Sequence, residues 1–258
     1  MLSIDYLDQI ESLVARIRET QTGPVQQAAQ VIAESVANNG ILHVFGSGHS
    51  HMMAEDLFHR AGGLACVNAM LEESLMELNV GRTTQLERLS GYAKVLLRGY
   101  DLRPGEVIII VSNSGMNAVP IEMALECKKL GLYVIALTCM DHTVKVSSRH
   151  DSGKKLYEIA DLVLDNGGVY GDAILSYNQS QQKTGATSTI GGLIVLQTLM
   201  MAIVEELQAR QVKPPVLVSA NTEGGDRHNR ELIARYHARI RYLPNPASDT
   251  FRKEGSGD

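Results

Sequence analysis

The sequence predicts an α/β fold built on a parallel sheet of five strands. The first observation is a series of short aliphatic runs, of which "VIIIVS" is the plainest, and runs of this kind suit strands that are buried on both faces of a parallel sheet. The second observation is that helical patterns separate these runs, as in consecutive βα units. The five predicted strands cover residues 41–46, 64–68, 107–112, 133–138 and 161–165.

Two helices are predicted before the first strand, at 3–20 and 24–38. Their apolar residues recur at helical spacing. A break is expected at Gly23-Pro24, because proline suits the first turn of a new helix. Acidic residues stand where an export signal needs a basic region, so no signal peptide is predicted here.

The segments that follow the fourth and fifth strands are less regular. Residues 140–153 and 166–188 are rich in Ser, Gly, Asn and Gln, which is typical of functional or mobile loops. An apolar helix is predicted at 190–208, and a short apolar run at 215–219 either extends or caps the sheet. The predicted division is 1–38 for N-terminal helices packed on the domain, 39–210 for the main domain and 211–258 for a C-terminal extension of that domain.

Composition excludes several classes of protein. The chain has 258 residues, 44% of them hydrophobic and 21% charged, which is enough for one large α/β domain or two small ones. Its net charge of -5 offers no electrostatic footprint for nucleic acid. The most apolar run, 190–204, has 15 residues and is shorter than a membrane span of about 20. Three cysteines form no CxxC pair, which predicts a reducing, cytoplasmic compartment.

Two polar turns follow predicted strands at the edge where open parallel sheets bind ligands. They are "GSGHS" after the first strand and "SNSGMN" after the third, each followed by a helical pattern. Unsatisfied N–H groups at a helix N-terminus hold anions, so a phosphate is the expected ligand. The alternative is that these residues only cap helices. The polar residues of the two turns are Ser47, His49, Ser50, Ser112, Asn113, Ser114 and Asn117.

These motifs resemble a known family. The two turns, together with "YVIALT" leading to "SSRHDSGKKLYEIADLVLD", are similar to the sugar isomerase (SIS) domain over about residues 35–210. Within that family the chain looks most like uncharacterised bacterial proteins related to phosphoheptose isomerase. The resemblance implies a doubly wound, flavodoxin-like sheet with helices on both faces. It also implies a phosphosugar held by Ser112, Ser114 and Asn117, with Ser50 holding the sugar.

A further segment resembles one member of the family. The stretch "QKTGATSTIGGLIVLQ" is similar to a loop of the N-acetylmuramic acid 6-phosphate etherase. That similarity implies that Lys183 and Thr184 face the sugar. The alternative interpretation is that Thr and Ser residues cap the helix at 190–208.

Isomerisation of an aldose phosphate to a ketose phosphate needs a base near carbon 2 and usually an acid that opens the ring. Glu72 and Glu73 follow the second predicted strand at the same edge as both turns, and one of them is the predicted base. The alternative is a solvated pair. His49 and His51 flank Ser50 and are predicted to open the ring or to contact sugar hydroxyls.

The zinc-dependent phosphoheptose isomerases of this family carry metal ligands that this chain lacks. In an ungapped alignment, the positions of a His and a Glu hold Asp56 and Arg60, and a further His position holds Gln197. No metal and no other cofactor is therefore predicted. An alternative set has the spacing that could chelate zinc along one helix face. That set is His51, Glu55 and His59.

The predicted function is phosphosugar binding, with aldose–ketose phosphate isomerisation through an enediol as the expected activity. Two alternatives stay open: a lyase of amino-sugar phosphates, and a sensor that binds phosphosugars without reaction. The predicted partners are a sugar phosphate and further copies of the chain, in a dimer or tetramer with shared active sites. The apolar faces of the helices at 3–20 and 190–208 favour such assembly. Two interpretations stay open for the polar segment 219–229: a hairpin-like turn with an N-cap Asp, and a loop that completes the site.

Overall fold

The computed structural model describes residues 1–78, 80–177 and 181–246. Five parallel strands form the central sheet, namely β1 (Leu42–Gly46), β2 (Val67–Met70), β3 (Val107–Val111), β4 (Tyr133–Thr138) and β5 (Leu162–Asp165). Their order is β2-β1-β3-β4-β5, which is the arrangement of doubly wound, flavodoxin-like sheets. The predicted fold class is confirmed.

The helices alternate with the strands along the chain. They are α1 (Leu2–Ala37), α2 (His51–Leu57), α3 (Val80–Glu87), α4 (Tyr92–Leu97), α5 (Ala118–Lys129), α6 (Met140–Thr143), α7 (Ser188–Ala209) and α8 (Gly225–Tyr236). Alternate residues of β3 face two different helical layers. Val107 and Ile109 pack in the layer of α1, α2 and α7, whereas Ile108 and Ile110 pack in the layer of α4 and α5. The prediction of helices on both faces is therefore confirmed.

The N-terminal segment is one helix of 36 residues, so the predicted break at Gly23-Pro24 is wrong. The reason is burial on both sides of the proline. Leu13 and Ile17 before it and Val25 after it belong to the same core cluster, and the helix packs against α7 and β5. These contacts outweigh the loss of one helical hydrogen bond at Pro24, a cost of about 3 kcal/mol.

The second strand begins at Val67, later than the predicted start at residue 64. The residues before it pair with a different part of the chain. Gly62 N donates to Leu217 O at 2.8 Å, within a short antiparallel bridge. The apolar run predicted at 215–219 therefore packs beside the segment that precedes β2 and does not extend the parallel sheet.

The polar segment 166–188, predicted to be a loop, contains a two-stranded antiparallel hairpin. Its strands are β6 (Ala173–Ser176) and β7 (Lys183–Ala186). The hydroxyl of Tyr6 in α1 donates to Ala186 O at 2.6 Å. The N-terminal helix thus fixes the end of β7 close to the start of α7.

Among the described helices, α7 is the one that is long and apolar enough to cross a membrane. Half of its most apolar 18-residue stretch is buried inside the molecule, as in a core helix, so this is weak evidence for a membrane span. Its buried face packs on α1 and α2. Its outward face carries Thr198 and Met201, both exposed. Assembly of several copies through this face stays a prediction.

The described residues that follow α7 pack back onto the preceding part of the chain. Tyr236 and Ile240 enter the core. In the polar segment 219–229, Asn229 closes a turn, because its side chain accepts from Val218 N (3.0 Å) and donates to Val218 O (2.8 Å). Residues 247–258 of the predicted extension lie outside the described residues.

Candidate functional site

A polar cleft of about 420 Å³ opens at the carboxyl ends of β1 and β3. These two strands lie side by side at the centre of the sheet, where the strand order reverses. Crevices at such switch points bind ligands in doubly wound folds. His49 lines the cleft, as predicted for a residue of the site. So do five of the predicted phosphate- and sugar-binding residues, namely Ser50, Ser112, Asn113, Ser114 and Asn117.

The turn between β3 and α5 presents a free hydroxyl to the cleft. Ser112 Oγ accepts a hydrogen bond from Gly115 N at 3.2 Å, which closes the turn. Gly115 has a φ of 59°, a backbone conformation that residues with a side chain rarely adopt, and Leu156 packs closely against it. The Ser114 side chain has no hydrogen-bond partner within the described residues and is partly exposed. It is available to a ligand.

The first turn of α5 carries no side-chain cap. Asn117 stands at the N-cap position, but its side chain makes no capping hydrogen bond. Its Nδ2 donates to Glu87 at 2.7 Å, and its Oδ1 accepts from Arg149 at 3.0 Å. The alternative that this turn only caps its helix is therefore not supported, and the N-terminus of α5 is open toward the cleft.

A second helix begins at the cleft, but its N-terminus is occupied. Asp172 Oδ1 accepts from the backbone N–H groups of Thr187 (2.9 Å) and Ser188 (2.7 Å) at the start of α7. A carboxylate of the chain thus stands where an anionic ligand would otherwise bind. The interpretation that Thr and Ser side chains cap this helix is not supported either, because Thr187 makes no side-chain cap hydrogen bond. An anion is expected at α5 rather than at α7.

Glu87 is a cleft residue that the sequence analysis missed. It ends α3, and both of its carboxylate oxygens accept hydrogen bonds, from Ser47 Oγ (2.8 Å) and from Asn117 Nδ2 (2.7 Å). Ser47, a predicted sugar-site residue, is buried, and its hydroxyl donates to this carboxylate rather than lining the cleft. Nothing in the sequence marked Glu87, because α3 does not directly follow a strand end.

The structure does not bring Glu72 or Glu73 into the cleft lining. Glu72 Oε1 lies 3.5 Å from a guanidinium nitrogen of Arg241, and Glu73 is exposed in a 3₁₀ turn. The reason is topological. Both residues follow β2, which is the edge strand next to β1, one strand away from the switch point. Within the described residues, the carboxylates that line the cleft are Glu87 and Asp172.

Of the predicted histidines, His49 lines the cleft and His51 does not. His51 Nδ1 lies 2.6 Å from Gly48 O, so this ring is held by its own turn. A histidine that the sequence did not assign, His142, also lines the cleft. Its Nδ1 accepts from Gly171 N at 3.0 Å, which places the ring proton on Nε2. Burial lowers the pKa of His142, so the ring is a neutral donor near pH 7.

Lys183 and Thr184, implied to face the sugar, lie on β7 and are both exposed. Neither belongs to the cleft lining. The cleft is bordered instead by the end of the same strand, at Ala186, and by Ser188 and Thr189 at the start of α7. Ala186 is thus the residue of β7 that borders the cleft.

The alternative zinc set does not assemble on one helix face. The α2 helix ends at Leu57, and His59 beyond it has a φ of 44°. His51 Nε2 and Glu55 form a pair at 3.8 Å without the third member. In the part of the chain that the structure describes, no group of three His, Cys, Asp or Glu side chains could hold a metal ion.

The three positions that carry metal ligands in the zinc-dependent relatives do lie together here. Asp56 pairs with Arg60 and accepts a hydrogen bond from Gln197 Nε2 at 2.7 Å. A cation of the chain therefore neutralises the carboxylate of this cluster. The cluster links α2 to α7 and contributes no residue to the cleft lining.

Comparisons with known proteins match this architecture. A family model described as the SIS domain matches residues 5–139. A UPF0309 protein of Caldanaerobacter subterraneus is 43% identical over 92% of this chain and 98% of its own length, and one of Halalkalibacterium halodurans is 43% identical over 90% and 96%. The structure of phosphoheptose isomerase from Neisseria gonorrhoeae covers 80% of this chain and 100% of its own, with 17% identity and a TM-score of 0.51. The chain belongs to the SIS domain family.

Proposed function

We propose that the chain binds a phosphosugar in the cleft at the β1–β3 switch point. The phosphate group would lie at the N-terminus of α5, within reach of Ser112 and Ser114. The observation that carries this proposal is the uncapped start of α5 beside the free hydroxyl of Ser114. Membership of the SIS family and a fold shared with a phosphoheptose isomerase support it.

Within that site, we propose aldose–ketose isomerisation with Glu87 as the base. The carboxylate would take the proton from carbon 2 of the open-chain aldose and return it to carbon 1. In the same conversion oxygen 1 gains a proton and oxygen 2 loses one. His142 and His49 lie in the same cleft, and a neutral imidazole N–H can donate to these oxygens as charge develops on them.

The test follows deuterium incorporation from deuterated water into carbon 1 or carbon 2 of a panel of sugar phosphates by NMR. We expect Glu87→Gln to slow the exchange by about a hundred- to ten-thousand-fold, the usual loss of a general base. Glu72→Gln and Glu73→Gln are the matched carboxylate variants, and we expect them to retain activity. If Glu72→Gln or Glu73→Gln abolished the exchange while Glu87→Gln kept it, the base would be that glutamate after β2 and not Glu87.

One observation favours a second candidate function, a sensor that binds phosphosugars without reaction. Both oxygens of Glu87 already accept hydrogen bonds, so a substrate proton would have to compete with Ser47 and Asn117 for this carboxylate. In that case the sugar phosphate would bind to the wild-type chain and no deuterium would enter carbon 1 or carbon 2. The same NMR experiment therefore separates the two functions once a ligand binds.

A further inference from the structure

The cleft holds no cation of its own. Among the described residues that line it, Glu87 and Asp172 are carboxylates, and there is no Lys or Arg. A phosphate monoester carries a charge of about -1.5 to -2 near neutral pH. Neutral hydroxyls and helix N–H groups would have to hold this charge against two carboxylates of the same sign. A positively charged side chain within reach of the cleft would resolve this imbalance.

Arg149 lies one hydrogen bond from the cleft lining. Its Nη1 donates to Oδ1 of Asn117, the residue that precedes the first turn of α5, at 3.0 Å. The guanidinium is exposed and makes no ion pair with a carboxylate in the part of the chain that the structure covers. Its charge is therefore not held in an ion pair within the described residues, and the bond to Asn117 places it next to the first turn of α5.

The main chain around Arg149 is fixed to the same turn. Arg149 N donates to Met116 O at 2.8 Å, and Leu156 N donates to Gly115 O at 2.9 Å. Within the loop, Ser148 Oγ donates to Lys154 O at 2.8 Å. The backbone thus holds Arg149 against the β3–α5 turn, and among the described residues the hydrogen-bond partner of its side chain is the neutral amide of Asn117.

We propose that Arg149 is the counterion of the bound phosphate and selects for its dianionic form. On binding, the guanidinium would exchange the amide oxygen of Asn117 for phosphate oxygens. Arginine forms two parallel, charge-assisted hydrogen bonds with a phosphate, which are roughly twice as strong as a bond between neutral groups. This inference rests on the proposed phosphosugar site, and it adds to that site a specificity residue outside the cleft lining.

Lys183 provides a matched control. It is the cation that the family resemblance implies for the sugar, yet it is exposed on β7 and outside the lining. Both side chains are solvent-exposed, so truncation of either should leave the fold intact. If proximity to the β3–α5 turn decides which cation binds the phosphate, Arg149→Ala will weaken phosphate binding and Lys183→Ala will not.

The experiment measures binding of fructose 6-phosphate and of inorganic phosphate by calorimetry at pH 5.0 and pH 7.5, on either side of the second ionisation of a phosphate ester at about pH 6. We expect Arg149→Ala to bind about tenfold more weakly at pH 7.5, with a smaller loss at pH 5.0. Arg149→Lys should recover part of the affinity, because it keeps the charge without the planar fork. Lys183→Ala should bind as the wild type does.

Three results would overturn the assignment. The first is an Arg149→Ala protein that binds as tightly as Lys183→Ala. The second is an equal loss at both pH values, which indicates a structural effect through Asn117. The third is a wild-type chain that binds neither probe. Ser114→Ala separates this inference from the proposed function: if it weakens binding while Arg149→Ala does not, the phosphate site stands and the counterion role fails.

Discussion

Two clefts open at opposite edges of the same sheet, and the ligand is assigned to the smaller one. The cleft at the amino ends of the strands encloses about 730 Å³, against about 420 Å³ at the carboxyl ends. Its basic side chains already have carboxylate partners, Arg103 among them through Asp101. Arg239 pairs with Glu106 and Asp101, and Lys128 pairs with Asp161. A ligand in the larger cleft would have to compete with these pairs.

The direction of the helices separates the two clefts further. Both α1 and α5 end at the larger cleft, so they present carbonyl groups and the negative end of the helix dipole. The smaller cleft receives the N-terminus of α5 and contains the free hydroxyl of Ser114. For an anionic ligand, unpaired donors and dipole direction therefore matter more than volume.

At the centre of the larger cleft is a buried carboxylate with a structural role. Glu106 accepts from Ile41 N at 3.0 Å, from His43 Nε2 at 3.0 Å and from Arg239 Nη1 at 2.7 Å. Burial alone would raise the pKa of Glu106, but these hydrogen bonds outweigh burial and hold the pKa at about 2. The cluster joins the C-terminal extension to β1 and to the loop that precedes β3.

The comparison predicts that Glu106→Ala has the largest effect on stability. Removal of one member of a buried ion pair leaves Arg239 and the polar atoms around it without a partner, at a cost of about 3–5 kcal/mol. Urea unfolding measures this loss. Lys128→Ala, at a half-exposed pair in the same cleft, is the control and should cost less than about 1 kcal/mol. Equal effects of the two substitutions would contradict the structural role of the cluster.

The second prediction concerns acid. Because the pKa of Glu106 is lowered from 4.5 to about 2 in the folded chain, its contribution to stability is complete above about pH 4.5. That contribution is lost progressively as the pH falls from 4.5 toward 2, because the unfolded chain then binds the proton more readily. Urea unfolding of wild type and Glu106→Gln between pH 6 and pH 3 tests this. We expect the glutamine variant to show a shallower decline, and parallel curves would argue against it.

The third and smallest effect is expected at the start of α7. Asp172→Ala removes the carboxylate that accepts from Thr187 N and Ser188 N, at a cost of about 1–2 kcal/mol for a lost helix cap. It also leaves a second uncapped helix N-terminus at the cleft. Inorganic phosphate should therefore raise the melting temperature of the variant more than that of the wild type. An identical phosphate response in both proteins would weaken the contrast drawn between α5 and α7.

The sequence predicted the parts of the site that follow buried strands. The aliphatic run before Ser112 predicts β3. A polar turn at the end of a parallel strand lies at the carboxyl edge of the sheet. Glu87 and Asp172 were not predicted. Glu87 ends a short helix and Asp172 precedes the first strand of the hairpin, and the sequence pattern of neither segment indicates that it lies at the sheet edge. Glu72 follows β2 as predicted, but β2 is the edge strand and Glu72 does not line the cleft; strand order is not visible in one sequence.

The long N-terminal helix shows the same limit. Pro24 locally favours the start of a new helix, but packing of the flanking residues against α7 and β5 stabilises one continuous helix instead. Local patterns therefore predicted the element types well. They failed where a distant part of the chain determined the outcome.

The central claim is that a sugar phosphate binds with its phosphate at the N-terminus of α5. The direct test is a crystal structure of the chain with the sugar phosphate that most raises its melting temperature, since a ligand of the native state stabilises it by mass action. We predict that the phosphate oxygens lie within hydrogen-bond distance of Ser114 Oγ and of backbone N–H groups in the first turn of α5. Phosphate density beside Arg239 and Lys128 in the larger cleft, with the smaller cleft empty, would contradict the account.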